Sequence, residues 1–295
     1  MSDYILSACS TIDINCDLAA KRDIRVLNFH YFIDDVSHVD DLGVSVDYKS
    51  FYDAMRNGAM TRTSQPNPEE YEAYFTPFLE EGKDVLHLTL SSGISGAYNS
   101  ANIAADMLKE KYPDRKIYVV DSCAASGGYG LLMVTLADLR DSGMGIDELH
   151  EYAEKNKLRL HHWFFTTDLT YLVRGGRVSK VSGFVGTVLN ICPLLNVDNV
   201  GKLTPRYKIR SKKKVIQETF NRMVEHAENG KDYNGRVYIT MSDCYDDARE
   251  LADMIEAEFP NLKEKVQIFS IGTTIGAHTG PGTVALFFWG DERVD

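Results

Sequence analysis

The chain has 295 residues, 44% of them hydrophobic and 25% charged, which supplies enough apolar side chain for a packed core and argues against a disordered chain. A formal charge of -11 and a pI near 5.2 argue against nucleic acid as a ligand, since neutralising phosphates takes a basic face. No run of about 18 apolar residues occurs, and the start MSDYILSACS has no basic segment leading into an apolar one; no membrane span is expected, and the expected location is the cytoplasm.

At this length two packed units are expected, residues 1–160 and 161–295. In the first, YILSACS, RVLNFHYFI, DVLHLTL and KIYVVDS read as strands, and the amphipathic stretches between them as crossover helices of a parallel sheet. Tyr48, Phe51, Tyr52 and Met55 fall on one helical face that should stop at Gly58. Asn67 as N-cap, Pro68 in the first turn, then Glu69 and Glu70 announce a second helix with Tyr71, Tyr74, Phe75 and Phe78 on its apolar face. A third should start at Ser95 or Gly96. A fourth should follow KIYVVDS, with Gly127 and Gly128 loosening the turn before it, and IDELHEYAEKN is a fifth.

The second unit should open on the strand LRLHHWFFTT. LLNVDNVGKLTPRYKI reads as a hairpin around Asp198 to Gly201, followed by a helix from Lys212 to about Asn229, the strand RVYITMS, a helix from Asp246 to Phe259, and the strands VQIFSI and TVALFFWG. An α/β or α+β lobe with some antiparallel pairing fits this order, and no repeat is visible. The five cysteines, Cys9, Cys16, Cys123, Cys192 and Cys244, are odd in number and without CxxC spacing, so they are expected as buried free thiols, with no metal site.

Chemistry should sit where polar, glycine-containing segments border strands and helices. SSGISG at 91–96 ends a strand and begins a helix, so free N–H groups and the hydroxyl of Ser95 face any anion in front; Ser95 could equally be an N-cap alone. TRTSQP at 61–66 reads as a loop. AHTGPG at 277–282 holds His278 in a segment that its glycines and proline should keep from being helical. LVRGGRVS at 172–179 offers Arg174 and Arg177, either of which could pair with a carboxylate. GxGxxG and GxxxxGK[ST] are absent, which disfavours a nucleotide site. A serine–histidine hydrolase using Ser91, Ser92 or Ser95 with His278 lacks the GxSxG elbow and an assigned acid. The basic run KIRSKKK at 208–214 reads as a solvated helix start or as a docking patch for an acidic partner.

TSQP at 63–66, SSGISGAYNSA at 91–101, VVDS at 119–122, LTYLVRGGRVS at 169–179 and HTGPG at 278–282 together resemble the DegV family of bacterial lipid-binding proteins, in the family's order, and YILSACSTIDI at 4–14 resembles its first strand and loop. The resemblance implies a two-lobe α/β fold, a parallel-sheet N-terminal lobe and a mixed-sheet C-terminal lobe, binding a long-chain fatty acid such as palmitate, stearate or oleate. It implies no cofactor and no catalysis by this chain: a separate fatty acid kinase subunit would phosphorylate the presented carboxylate. Carried over by position, Thr63, Ser95 and His278 would hold that carboxylate, with Arg177 adding charge. FVGTVLNICPLL at 184–195 is the expected wall of the acyl pocket. Three departures stand out: Cys9-Ser10-Thr11 replaces an Asp-Ser-Thr run, removing an acid expected near the site; Ala97 replaces a threonine; and Cys192 stands where a lysine often precedes the proline.

Overall fold

The computed structural model describes residues 4–178 and 191–293. β1 (Tyr4–Cys9) is buried along its whole length and leads through α1 (Cys16–Lys21) to β2 (Ile24–Leu27), its parallel neighbour. Here the run RVLNFHYFI divides, where one strand was expected. The N–H of Phe29 donates to the Ser10 hydroxyl, so the chain leaves the parallel sheet after β2 and continues as β3 (Phe29–Ile33) elsewhere. β3 pairs antiparallel with β4 (Val36–Asp40) and with β5 (Thr61–Ser64), giving a small sheet in the order β4-β3-β5.

Between β4 and β5 lies α2 (Tyr48–Arg56), which buries Phe51, Tyr52 and Met55 and ends before Gly58 at φ +96°. α3 (Pro68–Glu80) starts at the expected N-cap Asn67, and the cap closes into a capping box: the Asn67 side chain accepts from the Glu70 N–H, and the Glu70 carboxylate accepts from the Asn67 N–H. β6 (Asp84–Thr89), α4 (Ala97–Lys111) and β7 (Ile117–Asp121) complete a four-stranded parallel sheet ordered β2-β1-β6-β7.

α5 (Gly127–Asp141) has almost no exposed face in its first eleven residues, because it is enclosed between β1 and the second sheet. Gly127 and Gly128 belong to its first turn and do not loosen a preceding one. They are small because the next layer is close: a Cβ on Gly128 would stand 2.0 Å from His162 Nε2, and one on Gly127 2.7 Å from Thr240 Cγ2. α6 (Ile146–Asn156) then leads to β8 (Leu160–Phe165).

β8 joins β9 (Ile191–Val197), β10 (Leu203–Arg210), β11 (Tyr238–Met241), β12 (Gln267–Ser270) and β13 (Val284–Trp289) in a six-stranded mixed sheet ordered β10-β9-β8-β13-β11-β12, in which only β11 and β12 pair in parallel. Period-two alternation gives this sheet two apolar faces. Phe164, Leu195, Ala285 and Phe287 join the core of the parallel sheet, whereas Trp163, Phe165, Leu194 and Phe288 pack under α8 (Lys212–His226) and α9 (Tyr245–Glu258). KIRSKKK therefore spans the end of the edge strand β10, Ser211 at φ +79° and the start of α8, and is more than a helix start. All five cysteines are free, but only Cys9 and Cys192 are fully buried; Cys16 opens the short, mostly exposed α1 and faces solvent. No helix among the described residues is long and apolar enough to cross a membrane.

Candidate functional site

One cavity of about 310 Å³ lies where the three sheets meet. The mixed sheet contributes Phe164, Val197, Leu203, Ala285 and Phe287 to its wall, the strand ends of the other sheets Phe29 and Leu90, and α7 (Thr170–Arg174) Leu172. Residues 191–195 of the expected acyl wall are in β9 and do not touch the cavity, and residues 184–190 lie outside the described residues. Polar side chains gather on the side formed by β5, the loop before α4 and α10 (Thr273–Thr279).

TRTSQP is not a loop at its start: Thr61 to Ser64 are β5, and Thr63 lies opposite Tyr31 in the small sheet. Strand alternation turns Thr61 and Thr63 to one side, where Thr61 donates to the carbonyl of Ala277 and Thr63 meets His278, its Oγ1 2.8 Å from Nε2. Arg62 points the other way, its guanidinium 3.6 Å from the centre of the Phe32 ring. His278, expected in a non-helical turn, sits in the last turn of a seven-residue helix. The breaking residues come after it: Gly280 at φ +73° ends the helix and Pro281 follows.

Ser95 lies one residue before Gly96, the N-cap of α4, accepting from the Ala97 N–H and donating to Gln65 Oε1 at 3.0 Å; it lines the cavity and is not itself the N-cap. Gln65 spans to Ser100 through its amide nitrogen. It was within the TSQP run yet unassigned, since nothing in a lone glutamine tells where its amide will lie. Arg177 lines the cavity, half-buried; Arg174 is turned outward, over the Tyr171 ring and against Met60. Arg177 donates to the Gly175 carbonyl at 2.6 Å and has no carboxylate partner among the described residues, and burial lowers its pKa. Burial, then the charges of Arg177 and Arg174, push His278 down to about 3, so the imidazole is neutral at physiological pH. Among the described residues its Nδ1 has no partner, and it lies against Gly175, where a Cβ would stand only 2.2 Å away.

Two buried carboxyls stand behind the cavity lining without reaching the cavity. Asp13 accepts from the Gly272 N–H and from Ser126, and Asp40 accepts from the Thr274 N–H; Ser126 and Thr274 line the cavity. Both carboxyls are pushed up chiefly by burial. Among the described residues no Asp, Glu or Cys lines the cavity, and a polar lining of serine and threonine hydroxyls, the Gln65 amide, His162, His278 and the Arg177 guanidinium suits an anion and not a metal ion. A serine–histidine–acid relay is not assembled among the described residues, because Ser95 is bonded to Gln65 and His278 Nδ1 meets no carboxylate.

A mixed α/β fold with a parallel N-terminal and a mixed C-terminal sheet, enclosing one apolar cavity with a polar end, defines the class. A family model described as "Uncharacterised protein, DegV family" matches residues 9–291, and the chain belongs to that family. A DegV domain-containing protein of Clostridium perfringens is 36% identical over 293 residues, 99% of each chain. A fatty acid-binding protein of Thermotoga maritima is 33% identical over 279 residues, 93% of each chain. The fatty acid kinase (Fak) B3 protein of Streptococcus pneumoniae, solved loaded with linoleic acid, has the same fold at a TM-score of 0.84, with 24% identity over 99% of this chain and 100% of that one. Fatty acid binding is thus found among DegV proteins.

Proposed function

We propose that this chain binds one long-chain fatty acid, its carboxylate held by Thr63, Ser95 and His278 and neutralised by Arg177, its tail in the apolar cavity acting as a tunnel. The observation that carries the reading is the half-buried Arg177, without a carboxylate partner among the described residues, beside a neutral histidine at the polar side of an otherwise apolar space. The tail provides affinity: burying a methylene stabilises by about 0.8 kcal/mol, so fourteen give on the order of 11 kcal/mol before the ordering costs. The head must be paired, because an unpaired buried carboxylate costs several kcal/mol. If His278 Nε2 carries the proton, it donates to Thr63 Oγ1 and frees the Thr63 hydroxyl to donate to the ligand, so a bound carboxylate selects that tautomer.

Organic extraction of purified protein is expected to release close to one equivalent of acyl ligand by mass spectrometry; no acyl ligand, together with no uptake of added palmitate or oleate, would refute the reading. Arg177→Gln removes a charge-assisted hydrogen bond, worth about 1.5–3 kcal/mol. A fall in affinity of roughly ten- to a hundredfold is expected, at an unchanged unfolding midpoint because among the described residues Arg177 pairs with no acid. Unchanged affinity would remove Arg177 from the site.

The likeness to Fak B3 supports presentation of the acid to a kinase subunit. The side chains that would hold the carboxylate come from a strand (Thr63), two helix ends (Ser95 and His278) and the turn after α7 (Arg177), and ligand sites in open α/β folds usually lie at such strand ends. Purified fatty acid kinase with ATP should then form acyl phosphate only when this chain is present; equal turnover without it would sink the presenting role. Units 1–160 and 161–295 would each contribute one wall.

A further inference from the structure

The alternation that turns His162 and Phe164 of β8 toward the cavity turns His161 and Trp163 to the opposite face of the mixed sheet. There His161 meets His226, in the last turn of α8, and Asp291, in the segment after β13. Asp291 Oδ1 is 2.9 Å from His161 Nε2 and 3.2 Å from His226 Nδ1, and one ligand atom from each of the three residues lies within 4.8 Å of the others. Around a tetrahedral zinc ion with bonds near 2.0–2.1 Å, neighbouring ligand atoms stand about 3.3 Å apart. The two distances to Asp291 are close to that edge. The imidazole rings are inclined by only 20° with centroids 4.9 Å apart.

We propose that His161, His226 and Asp291 bind a divalent transition-metal ion, zinc foremost. Two imidazoles and one carboxylate form a borderline donor set that suits zinc, copper, nickel or iron and disfavours calcium and magnesium, and the exposed side of Asp291 leaves room for a water ligand. The surroundings hold the donors in place. The His161 ring packs against Phe288, with centroids 5.1 Å apart, as well as against His226. Gly290 gives it space: a Cβ there would stand 2.3 Å from the His226 carbonyl oxygen and 2.8 Å from His161 Cδ2. His161 Nε2 also lies 3.0 Å from the Asp291 carbonyl oxygen, to which it donates, so a bound ion would take the place of that hydrogen bond and leave the ring proton on Nδ1. A bound ion would tie the C-terminal segment to β8 and α8, on the face away from the cavity; the site is independent of fatty acid binding.

Tag-free, chelator-treated full-length protein titrated with zinc chloride is expected to take up one equivalent at micromolar free metal, and with cobalt(II) chloride to quench tryptophan fluorescence, since Trp163 lies against His226. His226→Ala, at a partly exposed position, and Asp291→Asn, at an exposed one, should each weaken uptake at least tenfold while leaving the folded spectrum intact. No saturable uptake, or uptake that survives both substitutions, would overturn the site and leave a hydrogen-bonded histidine–aspartate cluster only.

Discussion

Ala285→Leu is expected to weaken palmitate or stearate binding by about a hundredfold while leaving the empty protein as stable as before, or slightly more so. Ala285 is on β13, opposite Phe164, with its side chain on the cavity wall. Three added carbons enter space that the tail would otherwise fill, and displacing three or four methylenes removes about 2.5–3 kcal/mol. Because the leucine grows into a void, the overpacking strain of a filled core is small. The signature is a shift in chain-length preference: acids shorter by three or four carbons should bind the variant as well as they bind the parent. A competition series in which every chain length loses affinity equally, or none does, would place the tail elsewhere.

Local rules were legible in the sequence where one element decides its own fate. The Asn67 N-cap of α3, the buried face of α2 and the β9–β10 hairpin follow from spacing within a dozen residues. Features set by distant neighbours were not. The break after β2 depends on the Ser10 hydroxyl reaching the Phe29 N–H; the glycines opening α5 answer to His162 and Thr240; and Asp13 and Asp40 reach the start of α10 from far along the chain. The site shows the same division. Its residues lie in runs that stood out as polar and glycine-bearing, but the Thr63–His278 bond joins positions 215 apart, and periodicity assigned neither to a strand or a helix. His278 was misread because the glycine and proline beside it stop a helix without preventing one from reaching it.

Acid is expected to unfold this protein early, with stability falling from about pH 6.5 downward and not from the carboxylate range near pH 4. His87, His161 and His162 are buried in the fold; burial brings His87 down to about 3 and His161 to about 4, and pushes His162 well below its usual range. Above pH 6.5 neither the folded nor the unfolded chain protonates them. As pH falls through the unfolded value near 6.5, only the unfolded chain takes up protons, so each histidine destabilises the fold by about 1.4 kcal/mol per pH unit until its own folded pKa is reached. His278, half-buried, adds in the same direction with less weight. Asp13 and Asp40 act in the opposite sense, since their raised folded pKa values make the fold gain stability as pH drops through them. Three buried histidines stand against two buried carboxyls, so the net sense is a loss of stability as pH falls, on the order of one proton or about 1.4 kcal/mol per pH unit. Set against a typical stability of about 5–15 kcal/mol, the loss is large by pH 4.5. Urea unfolding at pH 7, 6 and 5 measures the slope, and His87→Asn, which removes a histidine bonded to the Ser7 hydroxyl, should flatten it by about one proton. A free energy of unfolding that stays level from pH 7 to 5 would mean that the buried histidines already carry protons in the fold.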